Sequence, residues 1–138
     1  DFLDMVIDHC RKEKEEKPYH KTMLIIDDYT EQLVEYENSL RLLINKHRHL
    51  NLQICISCLN IKRGIPRCLR PLIRTYIFVG RPRLLEQPII REELLSMKPD
   101  DTKHLFDYIY NDNCHNFLLL DTKENKIYKN FTLLDINI

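Results

Sequence analysis

The segment Met23-Leu24-Ile25-Ile26-Asp27-Asp28 restricts the possible folds of this chain more than any other, because four apolar residues run directly into two adjacent carboxylates. An apolar run this short, with two β-branched residues and an abrupt charged end before Tyr29-Thr30, predicts a strand buried on both faces, as in a parallel sheet. Ligands of such sheets bind at the carboxyl ends of the strands. Two carboxylates delivered there suit a hydrated divalent cation and the orientation of a water molecule. The same residues also fit a strand that ends in a solvated acidic turn.

A chain of 138 residues is the size of one domain and can bury a substantial core. Its 21 Lys and Arg balance its 21 Asp and Glu, so no global field recruits nucleic acid or membrane, and binding of that kind needs a local patch. No apolar run approaches the roughly 18 residues of a membrane helix. The start, Asp1-Phe2-Leu3-Asp4, has neither the basic n-region nor the long apolar core of a signal peptide. Its lack of Met at position 1 suggests a fragment or a processed product. The five cysteines, Cys10, Cys55, Cys58, Cys68 and Cys114, are odd in number and scattered, which argues against a disulfide framework and for a reducing compartment. Cys55 and Cys58 have C-x-x-C spacing, but a three-residue offset on a strand sends them to opposite faces, wrong for one metal. His47, His49 and Cys114-His115 have no ligand spacing either.

Along the chain, Phe2, Leu3, Val6, Ile7 and Cys10 repeat with helical spacing before the mixed-charge run Arg11 to Lys17. After the acidic pair, Thr30 is suited to cap a helix through about His47, with Leu33, Tyr36, Leu40, Leu43 and Ile44 on one face. Leu52 to Leu59 reads as a second buried strand, which makes a βαβ unit with the first. Pro66 and Pro71 bracket a short turn, Thr75 to Val79 reads as a third strand, and Gly80 and Pro82 stop it. Pro88 opens a helix through Met97, and Asp100 or Asp101 caps another through Tyr110 with Leu105, Tyr108 and Ile109 buried. Phe117 to Leu120, the turn 121–125 and Lys126 to Phe131 predict a terminal β-hairpin. One α/β domain spanning 1–138 accounts for the pattern.

Beyond the acidic strand, Arg48-His49-Leu50-Asn51 leads into the second strand, Ser57 to Asn60 closes it, and Pro66-Arg67-Cys68-Leu69-Arg70 follows. In this combination the chain resembles the C-terminal half of the genome-packaging ATPases of nucleocytoplasmic large DNA viruses, within the FtsK–HerA superfamily of P-loop motors. The resemblance covers about Met23 to Val79, and the remainder in outline. It implies a partial P-loop NTPase core of the RecA/FtsK type: a mainly parallel sheet flanked by helices, a Walker B strand at about 23–28, a sensor strand at about 52–60 and a C-terminal β-hairpin. Two departures stand out. The family's sensor is usually Gln, and the best-placed residue here is Asn60. No G-x-x-x-x-G-K-[ST] occurs, and Gly64 and Gly80 are the only glycines, so the main grip on ATP's β- and γ-phosphates is missing from this sequence.

By that resemblance Asp27 holds Mg²⁺, Asp28 polarises the attacking water, and Asn60 contacts the γ-phosphate or the water. Asp28 also suits a helix N-cap, and Asn60 a turn residue after a strand. Lys62, Arg63, Arg67, Arg70, Arg74, Arg81 and Arg83 lie in a stretch, 62–83, without Asp or Glu. Arginine's fork of donors matches phosphate oxygens. Arg70, and after it Arg74, is placed to act as an arginine finger on a neighbouring subunit, while Lys62, Arg63, Arg67 and Arg74 suit DNA phosphates. Each of these cations also suits a carboxylate elsewhere in the chain.

The implied function is ATP-driven translocation of double-stranded DNA into a capsid by a homo-oligomeric ring that contacts capsid protein, in the host cytoplasm (the viral factory) or the virion. An N-terminal P-loop half is then needed for activity, and this chain alone is expected to be inactive. The second class is a non-enzymatic DNA- or capsid-binding remnant that uses segment 62–83. A metal-dependent nuclease built on Asp27 and Asp28 ranks last, because Leu52 to Leu59 supplies no further acid or lysine.

Overall fold

Strands β1 (Thr22–Asp27) and β2 (Leu52–Ser57) pair in parallel in the computed structural model, which describes residues 2–28, 32–111 and 115–136. The register runs from Thr22 opposite Leu52 to Asp27 opposite Ser57, so both strands stop at one edge of the sheet. Between them lies α2 (Glu37–Lys46), completing the β–α–β order that the sequence predicts. Thr30, the expected cap, is outside the described residues. The helix begins later than expected because the chain at Gln32 to Tyr36 forms short turns, with the N–H groups of Glu35 and Tyr36 donating to the carbonyls of Gln32 and Leu33.

Two helices supply the apolar core of this first unit, Asp1–Leu72. Helix α1 (Phe2–Glu16) buries Leu3, Ile7 and Cys10, one helical stripe, and continues through the charged run as a solvated end. Helix α2 buries Leu40 and Leu43, and Leu33, Leu50 and Leu52 join the same apolar interior. Tyr36, expected on that face, is exposed. After β2 come a short helix, α3 (Ile61–Gly64), and a 3₁₀ turn at Arg70–Leu72.

Strand β1 is not buried on both faces. Leu24 and Ile26 are half-buried, whereas Met23 and Ile25 are 57% and 63% exposed. Parallel strands are covered on both sides only where helices lie on both. Among the described residues, one face of this pair stays open.

The second unit, Ile73–Ile138, is built on a four-stranded sheet with the order β3 (Thr75–Val79), β4 (Phe117–Asp121), β5 (Lys126–Lys129), β6 (Thr132–Leu133). Every pairing in it is antiparallel. The third strand therefore joins the hairpin instead of extending the parallel pair. Its one-sided burial, with Tyr76 inside and Thr75, Ile77 and Val79 outside, matches Leu118, Leu120 and Ile127 on its neighbours and is the pattern of an antiparallel sheet with one face on the core.

Helix α4 (Gln87–Ile89) passes into a π-helical turn, Ile90–Leu95, and ends at Ser96 in the left-handed conformation. Helix α5 (Pro99–Tyr110) starts with Pro99 in its first turn, and Asp100 and Asp101 sit where the helix dipole favours anions, without capping it. Its buried stripe is Thr102, Leu105, Phe106 and Ile109. Tyr108, expected inside, is exposed, with the Lys129 ammonium 4.5 Å from its ring centroid. The fold class is α/β: a parallel sheet, an antiparallel hairpin sheet and helices.

Candidate metal and nucleotide site

Asp27 is the last residue of β1, and Asp28 follows it with φ of +51°. The left-handed region costs a residue with a Cβ some energy, and Asp is among the few that tolerate it. The Asp28 N–H donates to the Ser57 carbonyl at 3.3 Å, which ties this bend to the end of β2. Both acids are exposed. The sequence-predicted pair therefore emerges side by side at the carboxyl ends of two parallel strands, where sheets of this kind present ligand sites.

Ser57 is the residue that sequence reasoning undervalued. It stands opposite Asp27, and its hydroxyl donates to Asp27 Oδ1 at 2.6 Å. Aligning the two apolar runs from their starts, Thr22 with Leu52, brings the pair together, but nothing within either segment indicates that register. Asp27 has no ion pair among the described residues, and its second oxygen has no protein donor there. Among the described residues its partner is a neutral group and no cation compensates its charge.

Strand β2 ends at Ser57, three residues before Asn60, so the expected sensor strand to 60 is shorter than predicted. Asn60 instead caps α3, its Oδ1 accepting from the Arg63 N–H at 2.8 Å. The side-chain amide N–H groups of Asn60 remain as its donors. Leu59 is 80% exposed.

The cations of segment 62–83 are divided between the two units. Lys62, Arg63 and Arg67 are exposed and form no ion pair among the described residues. Arg70 has a different place from the one expected. It is 6% exposed, and its guanidinium donates to the carbonyls of Ile65 at 3.1 Å and of Ile61 and Lys62 at 3.3 Å. Five donors in a rigid fork suit this binding of several carbonyls after a short helix. Arg74, the second choice for a finger and also expected to meet DNA, pairs with Asp121 at 3.0 Å, and Arg81 pairs with Asp107 at 2.7 Å. Both guanidiniums expected to reach a neighbour are thus engaged within their own chain.

Titrating groups away from this site are perturbed. The hydrogen bond from Arg74 holds the Asp121 carboxyl below its ordinary value. The Cys68 thiol, which donates to Glu37 at 2.6 Å, is pushed up chiefly by that bond. Burial raises the Tyr110 phenol to about 12, and its hydroxyl donates to the Phe78 carbonyl. Among the described residues no group of three or more His, Cys, Asp or Glu gathers as a metal cluster. Cys114, paired with His115 in sequence, lies outside the described residues.

No protein-family model and no curated protein matches this chain. Solved structures do. The genome packaging NTPase B204 from Sulfolobus turreted icosahedral virus 2, in complex with AMP, matches with a TM-score of 0.70 at 15% identity, over 97% of this chain and 63% of that one. The same NTPase in complex with AMPPCP gives 0.68 and 16%, over 98% of this chain and 62% of that one. In complex with ATP-gammaS it gives 0.65 and 16%, over 95% and 62%. The chain has the fold of a viral genome-packaging NTPase. It spans less than two thirds of the length of the packaging-NTPase structures it matches.

Proposed function

We propose that this chain is the Walker B-bearing part of a DNA-packaging motor ATPase, of the kind found in nucleocytoplasmic large DNA viruses. One observation carries the proposal: two exposed carboxylates leave the same strand end, beside a hydroxyl, in a fold shared with a packaging NTPase. A hard dication takes oxygen ligands. Asp27 and Asp28 offer only oxygen, so the donor set fits Mg²⁺, with Asp27 as the direct or water-mediated ligand and the Ser57 hydroxyl engaged behind it. When bound, the cation supplies charge neutralisation at the ATP phosphates.

Asp28, one residue on, is positioned to accept a hydrogen bond from the attacking water. Asn60, through its amide N–H groups, is the donor toward the γ-phosphate. The phosphate-binding loop comes from outside this sequence, which contains no such motif, so the isolated chain does not turn over ATP. Lys62, Arg63 and Arg67, exposed and without ion pairs among the described residues, meet the phosphates of double-stranded DNA. In a homo-oligomeric ring the finger toward a neighbouring subunit falls to one of these exposed arginines, Arg63 or Arg67, while the other faces DNA, since Arg70 is buried and Arg74 is paired with Asp121. Capsid protein is the remaining partner, and the setting is the viral factory in the host cytoplasm or the virion. No helix among the described residues is long and apolar enough to cross a membrane.

The test is Asp28→Asn in the complete packaging protein. ATP hydrolysis should fall by about 10²-fold or more, with nucleotide binding retained. Unchanged hydrolysis contradicts the assignment. The exposed cations also favour a second function, a non-enzymatic DNA- or capsid-binding remnant. In that case Asp28→Asn is silent, and a Lys62→Ala, Arg63→Ala, Arg67→Ala triple variant alone abolishes function.

A further inference from the structure

We infer that Ser57 is a positioning residue for the Asp27 carboxylate, and through it for a divalent cation, a role that rests on the proposed acidic site. Paired residues of neighbouring parallel strands project to the same face, and the strands lie about 4.8 Å apart. A serine and an aspartate facing one another across that gap are just long enough to meet, as the 2.6 Å contact between them shows. The hydroxyl engages Oδ1 and leaves Oδ2 without a protein donor among the described residues. One oxygen of the carboxylate is therefore engaged, which biases the orientation in which the other is presented.

The chemistry of the anchor matters. A guanidinium or ammonium there would compensate the charge that a cation needs, whereas a hydroxyl is neutral and orients the carboxylate without competing for it. Hydrogen-bond partners behind a metal ligand typically change metal affinity by about 10–100-fold. The Ser57 backbone carbonyl separately accepts the Asp28 N–H. Side-chain replacement therefore removes the orienting hydroxyl and leaves the backbone tie between the strand ends in place.

The experiment is Mn²⁺ titration of the chain, followed by the electron paramagnetic resonance signal of free Mn²⁺, for wild type, Ser57→Ala, Ser57→Thr and Asp27→Asn. Ser57→Ala should weaken Mn²⁺ binding about 10-fold. Ser57→Thr, which keeps the hydroxyl and suits a strand, should restore affinity to within about 3-fold. The thermal midpoint should move by no more than about 4 °C in either variant, since an exposed hydroxyl bond is weak. A purely structural role would instead lower the midpoint and leave affinity intact. The inference is overturned if Ser57→Ala binds Mn²⁺ like wild type while Asp27→Asn loses it, or if Ser57→Thr binds no better than Ser57→Ala. If Asp27→Asn itself binds like wild type, the acidic-site assignment fails and the role of Ser57 goes with it.

Discussion

Two aspartates end strands among the described residues, and their surroundings differ in one decisive respect. Asp121, at the end of β4, has both oxygens occupied: Arg74 donates to Oδ2 through Nε at 3.2 Å and Nη2 at 3.0 Å, and the N–H groups of Lys123 and Glu124 donate to Oδ1. Asp27, at the end of β1, receives one hydroxyl and no cation among the described residues. The first carboxylate is neutralised and closes a turn. The second keeps its charge and an open oxygen, which is the condition for binding a cation from outside. A strand-end acid is thus a weak sign of function until its partners are known.

The same division separates the arginines, and the largest expected effect comes from Arg70. Truncating it to Ala removes a buried guanidinium that donates to the Ile65, Ile61 and Lys62 carbonyls, of which Ile61 keeps the Ile65 N–H, so Arg70→Ala should cost about 2–4 kcal/mol in urea unfolding, and Lys should not rescue it. Unchanged stability in Arg70→Ala would restore this residue as a candidate for reaching another subunit. A smaller effect concerns the bend at Asp28. Its positive φ favours Gly over Ala, so Asp28→Gly should be more stable than Asp28→Ala by about 1 kcal/mol, with Asn between them. Equal stabilities would mean that the left-handed bend is absent in solution.

The smallest effect belongs to Asp121. Its folded pKa is depressed by Arg74, so its contribution is present above the unfolded carboxylate value and is lost as pH falls through the folded one. Asp121→Asn should therefore lower the thermal midpoint slightly at neutral pH and converge with wild type in acid. A difference that persists undiminished in acid would show that the charge of Asp121 is not what matters.

How much of this was legible beforehand depends on distance along the chain. The acidic strand, the β–α–β order, the third strand and the terminal hairpin were visible because they arise from local apolar patterns and turn residues. The partners of those elements were not. Ser57 meets Asp27 across 30 positions and Arg74 meets Asp121 across 47, through registers that no local pattern encodes. For the same reason the β3 sequence fitted a parallel sheet as well as the antiparallel one it occupies. Phe106 and Tyr108 illustrate a finer limit. Both are aromatic, but only Phe106 falls on the stripe with Thr102, Leu105 and Ile109, and treating Tyr108 as the core residue overlooked that spacing.

The central claim, that the acids at the end of β1 are a cation site and the acid at the end of β4 is not, is tested most directly by amide NMR of the chain during addition of substoichiometric Mn²⁺. Paramagnetic broadening should appear first at Asp27, Asp28 and Ser57 and leave Asp121, Lys123 and Glu124 sharp. Broadening that begins at Asp121, or that affects both strand ends equally, would contradict it.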